Sequence, residues 1–178
     1  MIMAPVISEP LAPSAVAELL GAAATIIRTE LSALPAEVRT WHPAGGEWCA
    51  QEVVGHLIES EKRGFAGRIR IILANDSPKF EGWDQDAVAR ARNDCSRDWA
   101  GLWDEFSVLR ADSGPLVVGL RPADLQRGGH HPKVGFLTVG DLLHEWVHHD
   151  RNHIRQMLAN VQAFAWPHMG NAQRFSSP

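Results

Sequence analysis

The chain contains no tyrosine, only two cysteines and no excess of basic charge, and each shortage excludes something. Cys49 and Cys95 form no CxxC or other zinc-type spacing, so a metal ion would have to rely on histidine and carboxylate. Seventeen lysines and arginines face 21 aspartates and glutamates, a formal charge of -4, with no basic tract and no arginine-rich helix. A nucleic-acid-binding surface needs the opposite balance, so no nucleic-acid partner is expected. No apolar run approaches the roughly 20 residues of a membrane-spanning helix. The opening "MIMAPVISEPLAPSA" lacks the basic start and apolar stretch of a secretory leader. The expectation is a soluble cytoplasmic protein without a membrane partner. Alternating polar and apolar runs are also scarce, so strands are not expected.

Helix is what the sequence does hold. A length of 178 residues at 45% hydrophobic content suits one domain with a real core. Residues 1–178 read as that domain, with an irregular N-terminal stretch over about 1–13 and an irregular tail over about 162–178. The first helical pattern opens near Ser14, a capping residue after Pro13, and runs through "AVAELLGAAATIIRTELSAL" toward Pro35. The second, "CAQEVVGHLIESEKRGFAGRIRIILAND", repeats Val53, Val54, Leu57, Ile58, Phe65, Ile69 and Ile72 at helical spacing. The third is "VARARNDCSRDWAGLWDEFSVLRADSG", and "RPADLQRGGHHPKVGFL" after it reads as the longest connection. The fourth opens at Thr138, where Thr-x-x-Asp to Asp141 fits a capping box, and ends near Asn160. Four long amphipathic helices give an all-α fold, a four-helix bundle.

The fourth helix contains "DLLHEWVHHDRNHIRQML", with four of the nine histidines. Imidazoles at i and i+4 lie one above the other on a helix face, close enough to share an ion. At about 100° per residue, His153 falls about 70° from the centre of the apolar stripe and His149 about 110°, against about 150° for His148. The pair His149 and His153 therefore borders the core, and His148, the partner of His144, points to solvent. His56 lies inside the second helix, beside the small residues Ser60, Gly64 and Gly67, where another helix can approach closely. Its register permits a third ligand without requiring one. His130 and His131 read as loop at the rim of a site, and His42 and His168, each beside a proline, read as structural. The residue after His149 is Asp150, so the HExxH pattern of zincin proteases is missing.

Two carboxylates stand near these histidines. Asp150 falls near the middle of the apolar stripe, where an unpaired charge costs several kcal/mol. It is either a buried partner of an arginine or an outer carboxylate or base near a metal. Glu59, one turn after His56, is the second candidate, and a solvated surface position is its plainer reading.

Taken together, "GEWCAQEVVGHLIESE" and, some ninety residues on, "LTVGDLLHEWVHHDRNHIRQM" resemble the DinB-like superfamily, which includes the YfiT-type metal-dependent hydrolase group. The matching positions are Trp48, Gly55-His56-Leu57, and His149-Asp150-Arg151-Asn152-His153 with Gln156. The chain departs at Cys49, where the motif more often has a Ser or Thr helix cap. The resemblance implies a four-helix bundle of up-down-down-up type connectivity, usually a homodimer, with a divalent metal on three histidines. Carried over by position, these are His56, His149 and His153. Relatives with known activity include S-transferases using low-molecular-weight thiols and a mycothiol-dependent isomerase.

Three imidazoles leave positions open for water or substrate, as a catalytic rather than a closed structural site does. Imidazole suits Zn or Ni first, with Fe or Cu compatible, and argues against Mg or Ca. Two functions follow from such a site: a metal-dependent hydrolase or low-molecular-weight-thiol S-transferase acting on a small-molecule substrate, or a non-catalytic, dimeric, metal-binding stress-response protein. The tryptophans Trp83, Trp99, Trp103 and Trp146 suit core or interface in either case.

Overall fold

The computed structural model describes residues 9–175; most of the expected N-terminal irregular stretch lies outside them. The element order is α1 (Pro13–Ala33), the single turn α2 (Ala36–Arg39), α3 (Ala50–Glu59), α4 (Ala66–Ala74), α5 (Gln85–Arg92), α6 (Trp99–Val118), β1 (Gly128–His131), β2 (Gly135–Thr138) and α7 (Val139–Ala165). Helices α1, α3–α4, α6 and α7 form the bundle. α1 packs against α6 and α7, and α3 packs against the same two from the other side. No described helix is long and apolar enough to cross a membrane.

Several boundaries differ from the sequence expectation, each for a local reason. α1 starts at Pro13 rather than being capped by Ser14, because proline's fixed φ suits the first helical position and its missing N–H costs nothing there. The second pattern is not one helix. A π turn at Ser60–Gly64, closed by Phe65 N–H to Ser60 O at 2.8 Å, separates α3 from α4. Such an inserted residue rotates everything after it on the helix face. The small residues serve this turn: a Cβ on Gly67 would lie 2.0 Å from the Lys62 carbonyl oxygen. Close approach of a neighbouring segment falls instead at Gly55, where a Cβ would meet Asp94.

The third pattern also divides, at Asn93, whose φ of 51° is left-handed; Asp98 then caps α6 by accepting from Gly101 N–H at 3.2 Å. The connection expected to be all loop contains an antiparallel hairpin, with Gly128 opposite Thr138 and His131 opposite Gly135. Glycines hide its strand signal. They are needed there, since a Cβ on Gly129 would strike the Phe80 ring and one on Gly128 the Leu137 carbonyl. The capping box at the start of α7 is present: Thr138 Oγ1 accepts from Asp141 N–H at 3.0 Å, and Asp141 Oδ2 accepts from Thr138 N–H at 2.9 Å. α7 runs to Ala165, beyond the expected Asn160, and ends in short 3-10 turns.

The core has two apolar clusters. One gathers Val16, Leu20, Phe65, Ile69, Ile72, Leu142 and Trp146; the other gathers Ile27, Leu31, Val53, Leu57, Ile58, Leu102, Phe106 and Met157. Between them lies a buried polar layer. The Arg110 guanidinium sits 5.5 Å from the Trp146 ring of one cluster and 5.0 Å from the Phe106 ring of the other. It donates to Asp150 Oδ2 at 2.6 Å, to Glu61 Oε1 at 2.5 Å and to the Leu20 carbonyl at 2.9 Å. Burial alone would lower the pKa of Arg110, but Asp150 and Glu61 outweigh it and hold the guanidinium charged.

Candidate metal centre

His56 stands on α3 one turn before the π turn, and His149 and His153 stand one turn apart on α7. Packing of α3 against α7 brings the three together. His56 Nε2 and His149 Nε2 are 3.0 Å apart, and one ring nitrogen from each of the three lies within 4.8 Å of the others. A tetrahedral ion with bonds of about 2.0 Å to nitrogen holds its ligand atoms roughly 3.3 Å apart, so the set is close to the size required.

The electrostatics favour ligation as well. Burial, with the neighbouring His153 adding to it, lowers the His56 pKa from 6.5 to about 4. Burial, then His153 and His56, lowers that of His149 to about 2. His153 is also lowered by burial, against opposing effects of Gln156 and Asp150. All three are neutral at pH 7, the state in which imidazole offers a lone pair. His153 Nδ1 and Gln156 Oε1 are 2.8 Å apart; the ring donates through Nδ1–H, which leaves Nε2 for an ion. The Nδ1 atoms of His56 and His149 are buried without a partner among the described residues. Converging neutral nitrogens with no acid among them make a donor set for a divalent transition metal.

The histidines form the base of an open cleft of about 1330 Å³. Ser60 and Gly64 of the π turn keep its floor low, and His131, Lys133, Val134 and Leu137 of the hairpin form one wall. Trp83 stacks on the His56 ring at 5.7 Å and 18°, and Phe65, turned by the π segment, meets the His149 ring edge-on at 5.0 Å. His131 is at the rim, as expected, although on a strand. His148 is exposed and borders the cleft. His144 is not simply solvated: its Nδ1–H donates to Gly140 O at 2.7 Å and its Nε2 accepts from Leu11 N–H at 3.0 Å.

The carboxylate candidates are both buried and both paired, and neither lines the cleft. Asp150 binds Arg110, the first of the two readings that its place on the apolar stripe allowed, with Oδ1 left without a partner among the described residues. Glu59 is not a surface residue. It is 4% exposed and pairs with Arg92 at 2.8 Å and Arg63 at 2.5 Å. The carboxylates that reach the cleft are Asp84, Asp141 and Glu145. Glu145 was within reach of sequence reasoning, since it precedes His149 by four residues as His149 precedes His153. Trp83 had no such signal.

The model of the DinB superfamily matches residues 19–157. The chain belongs to the DinB superfamily. Among curated relatives, this chain is 21% identical over 140 residues to one from Oceanobacillus iheyensis, covering 73% of this chain and 74% of that one. It is 24% identical over 133 residues to one from Bacillus licheniformis, covering 68% and 69%. Both relatives carry the provisional name of metal-dependent hydrolase. Among solved structures, YfiT from Bacillus subtilis superimposes with a TM-score of 0.79 at 19% identity, over 86% of this chain and 88% of that one. YfiT is described as a probable metal-dependent hydrolase with an unusual four-helix bundle topology, and the likeness establishes the same fold for this DinB protein.

Proposed function

We propose that this DinB-superfamily protein binds one divalent transition metal through His56, His149 and His153 and acts on a small molecule in the adjoining cleft, as a hydrolase or as an S-transferase of a low-molecular-weight thiol. The observation that carries this reading is the open geometry: three neutral imidazoles converge at the base of a cleft of about 1330 Å³ rather than inside a closed core. Zn or Ni fits the nitrogen donors best, and Fe or Cu is compatible. Such an ion would supply Lewis acidity, lowering the pKa of a bound water toward neutrality or holding a thiol as thiolate.

The chain's own residues do the rest. Gln156 holds the His153 ring in one orientation, and Trp83 and Phe65 give the cleft floor apolar, aromatic faces against which a substrate can pack. Glu145, on the His149 face of α7, is the cleft carboxylate best placed by helical spacing to exchange a proton with substrate. Asp150 acts from behind the histidines, its charge opposing the loss of basicity that burial imposes on His153. Glu59 pairs with Arg92 and so holds α3 to the C-terminal end of α5. We further propose a homodimer in the cytoplasm; the half-exposed Ile26 and Leu158, neighbours on the α1–α7 face, give it an apolar contact.

Elemental analysis of the protein purified without reductant tests the centre. About one metal per chain is expected, lost in His56→Ala, His149→Ala and His153→Ala and kept in His148→Ala. Turnover of ester or thiol-transfer substrates should vanish on chelation and return with the metal. A wild type that holds no metal after added Zn or Ni would end this reading. Chelation that unfolds the protein, with no turnover of any substrate, would leave the non-catalytic, stress-response alternative.

A further inference from the structure

A second cluster of ligand-type side chains lies at the start of α3, apart from the three histidines. Cys49 caps α3, Glu52 stands in its first turn, His42 lies in the preceding loop, and Cys95 lies in the 3-10 turn Asp94–Ser96. Cys49 and Cys95 are joined as a disulfide with Cα atoms 7.0 Å apart. His42 Nε2 lies 2.9 Å from Glu52 Oε2 and 3.7 Å from Cys95 Sγ, and one donor atom from each of the four residues lies within 4.8 Å of the others. We propose that reduction of Cys49–Cys95 creates a second metal site, in which Cys49, Cys95, His42 and Glu52 hold one zinc-class divalent cation, and that reoxidation expels it.

The donor set of two thiolates, an imidazole and a carboxylate is a complete tetrahedral shell for zinc. Bonds of about 2.3 Å to sulfur and 2.0 Å to nitrogen set a tetrahedral sulfur-to-nitrogen edge of roughly 3.5 Å, close to the spacing found for Cys95 and His42. The scaffold does not depend on the disulfide. Gln51 Nε2 donates to Asp94 O at 2.8 Å and to Arg97 O at 3.1 Å, tying the Cys95 turn to α3. The backbone N–H of Cys49 donates to Glu52 Oε2 at 2.9 Å, and Trp41 packs edge-on against Phe164 at 5.5 Å beside His42. Opening the sulfur–sulfur bond therefore leaves the four side chains facing one another. Access is open too: Cys95 is half-buried, and His42 and Glu52 line a cleft of about 430 Å³. An exposed His–Glu pair by itself contributes little stability, so the oxidised cluster offers no other strong reason for His42 to be there.

The exchange balances. A dithiol reductant delivers two hydrogen atoms to the disulfide and becomes a cyclic disulfide itself; the two Cys thiols then release two protons as the cation enters. In reverse, hydrogen peroxide takes two electrons from the thiolates and two protons from solvent, leaving the disulfide, two waters and the free cation.

The test uses the full chain, reduced with dithiothreitol, desalted without oxygen and titrated with Co2+. These are the chain's two cysteines, so a thiolate-to-cobalt charge-transfer band in the near ultraviolet reports this site and not the three histidines. The band is expected in reduced wild type and in His153→Ala, bleached by Zn2+, and absent from oxidised wild type and from Cys95→Ser. Reduced protein should hold one more zinc than oxidised protein, and His42→Ala should weaken that zinc at least tenfold. If Cys95→Ser does not fold, the oxidised and reduced wild type, with circular dichroism showing both folded, make the same comparison. Equal zinc in the two forms would overturn the proposal. So would a disulfide that dithiothreitol cannot open in the folded protein, or undiminished affinity in His42→Ala and Glu52→Gln.

Discussion

At the scale of single residues, the candidate metal centre depends on groups that do not themselves offer a lone pair to an ion. Gln156 is the clearest case. Its Oε1, 2.8 Å from His153 Nδ1, sets both the tautomer and the ring orientation. Gln156→Leu keeps the size of the side chain and removes that acceptor. Metal affinity should fall about 10–100-fold while the fold is kept, measured by competition with a chelator of known affinity. Unchanged affinity would mean that burial alone orients the ring. The chain separates two jobs that residue type cannot distinguish: Asp150 and Glu59 are carboxylates close in sequence to the histidines, yet both are turned onto arginines. Glu145, of the same chemistry, reaches the cleft. Which carboxylate faces an open site depends on neighbours that the local sequence does not specify.

At the scale of elements, the π turn and the capping box have opposite legibility. Thr138 and Asp141 mark the start of α7 by spacing alone, because a cap is a bond between residues three apart. Thr138→Ala should destabilise the protein by about 1 kcal/mol in urea unfolding. The π turn at Ser60–Gly64 left no comparable mark, and the apolar repeat passes through it almost in step. Its signature is packing: it swings Phe65 onto the Trp146 ring at 5.2 Å and the His149 ring at 5.0 Å. Gly67→Ala sets a Cβ against the Lys62 carbonyl and should both lower stability and disturb metal binding, checked by thermal melting beside metal content. A variant with normal metal content and a normal melting temperature would show that the turn tolerates a side chain.

Across the whole molecule, charge buried in the bundle sets how stability responds to mutation and to pH. Arg110 joins Glu61 and Asp150 between the two apolar clusters, so Arg110→Leu strands two carboxylates in a dry layer. A loss of about 3–5 kcal/mol is expected in denaturant unfolding. Part of the pH response comes from the buried histidines. Burial takes His56 from 6.5 to about 4, so below pH 6.5 the unfolded chain binds protons that the folded, metal-free protein refuses. That contribution is complete above 6.5 and is lost as the pH falls through the interval down to about 4, with His149 acting in the same direction. The melting temperature of metal-free protein should therefore drop steadily from pH 7 to pH 4. His56→Leu should flatten part of that slope, and a slope unaltered by the substitution would place the proton-sensitive groups elsewhere.

Local pattern was enough to read a helical bundle and the start of α7, and it set His149 and His153 one turn apart at the border of the core, with an arginine partner as one of two readings of Asp150. These depend on periodicity and on interactions between residues one turn apart, which survive in a linear text. Other features arose only when segments distant in the chain were packed together. His56 joined the pair because α3 lies against α7. Asp150 found Arg110 because α6 crosses the core beside it, and the hairpin packs closely on Phe80 because Gly129 has no Cβ to strike that ring. Cys49 and Cys95 met for the same reason, although their spacing matched no motif. Contacts of that kind depend on where whole helices lie, and helix placement is decided by the burial of complete apolar faces rather than by any short run of residues.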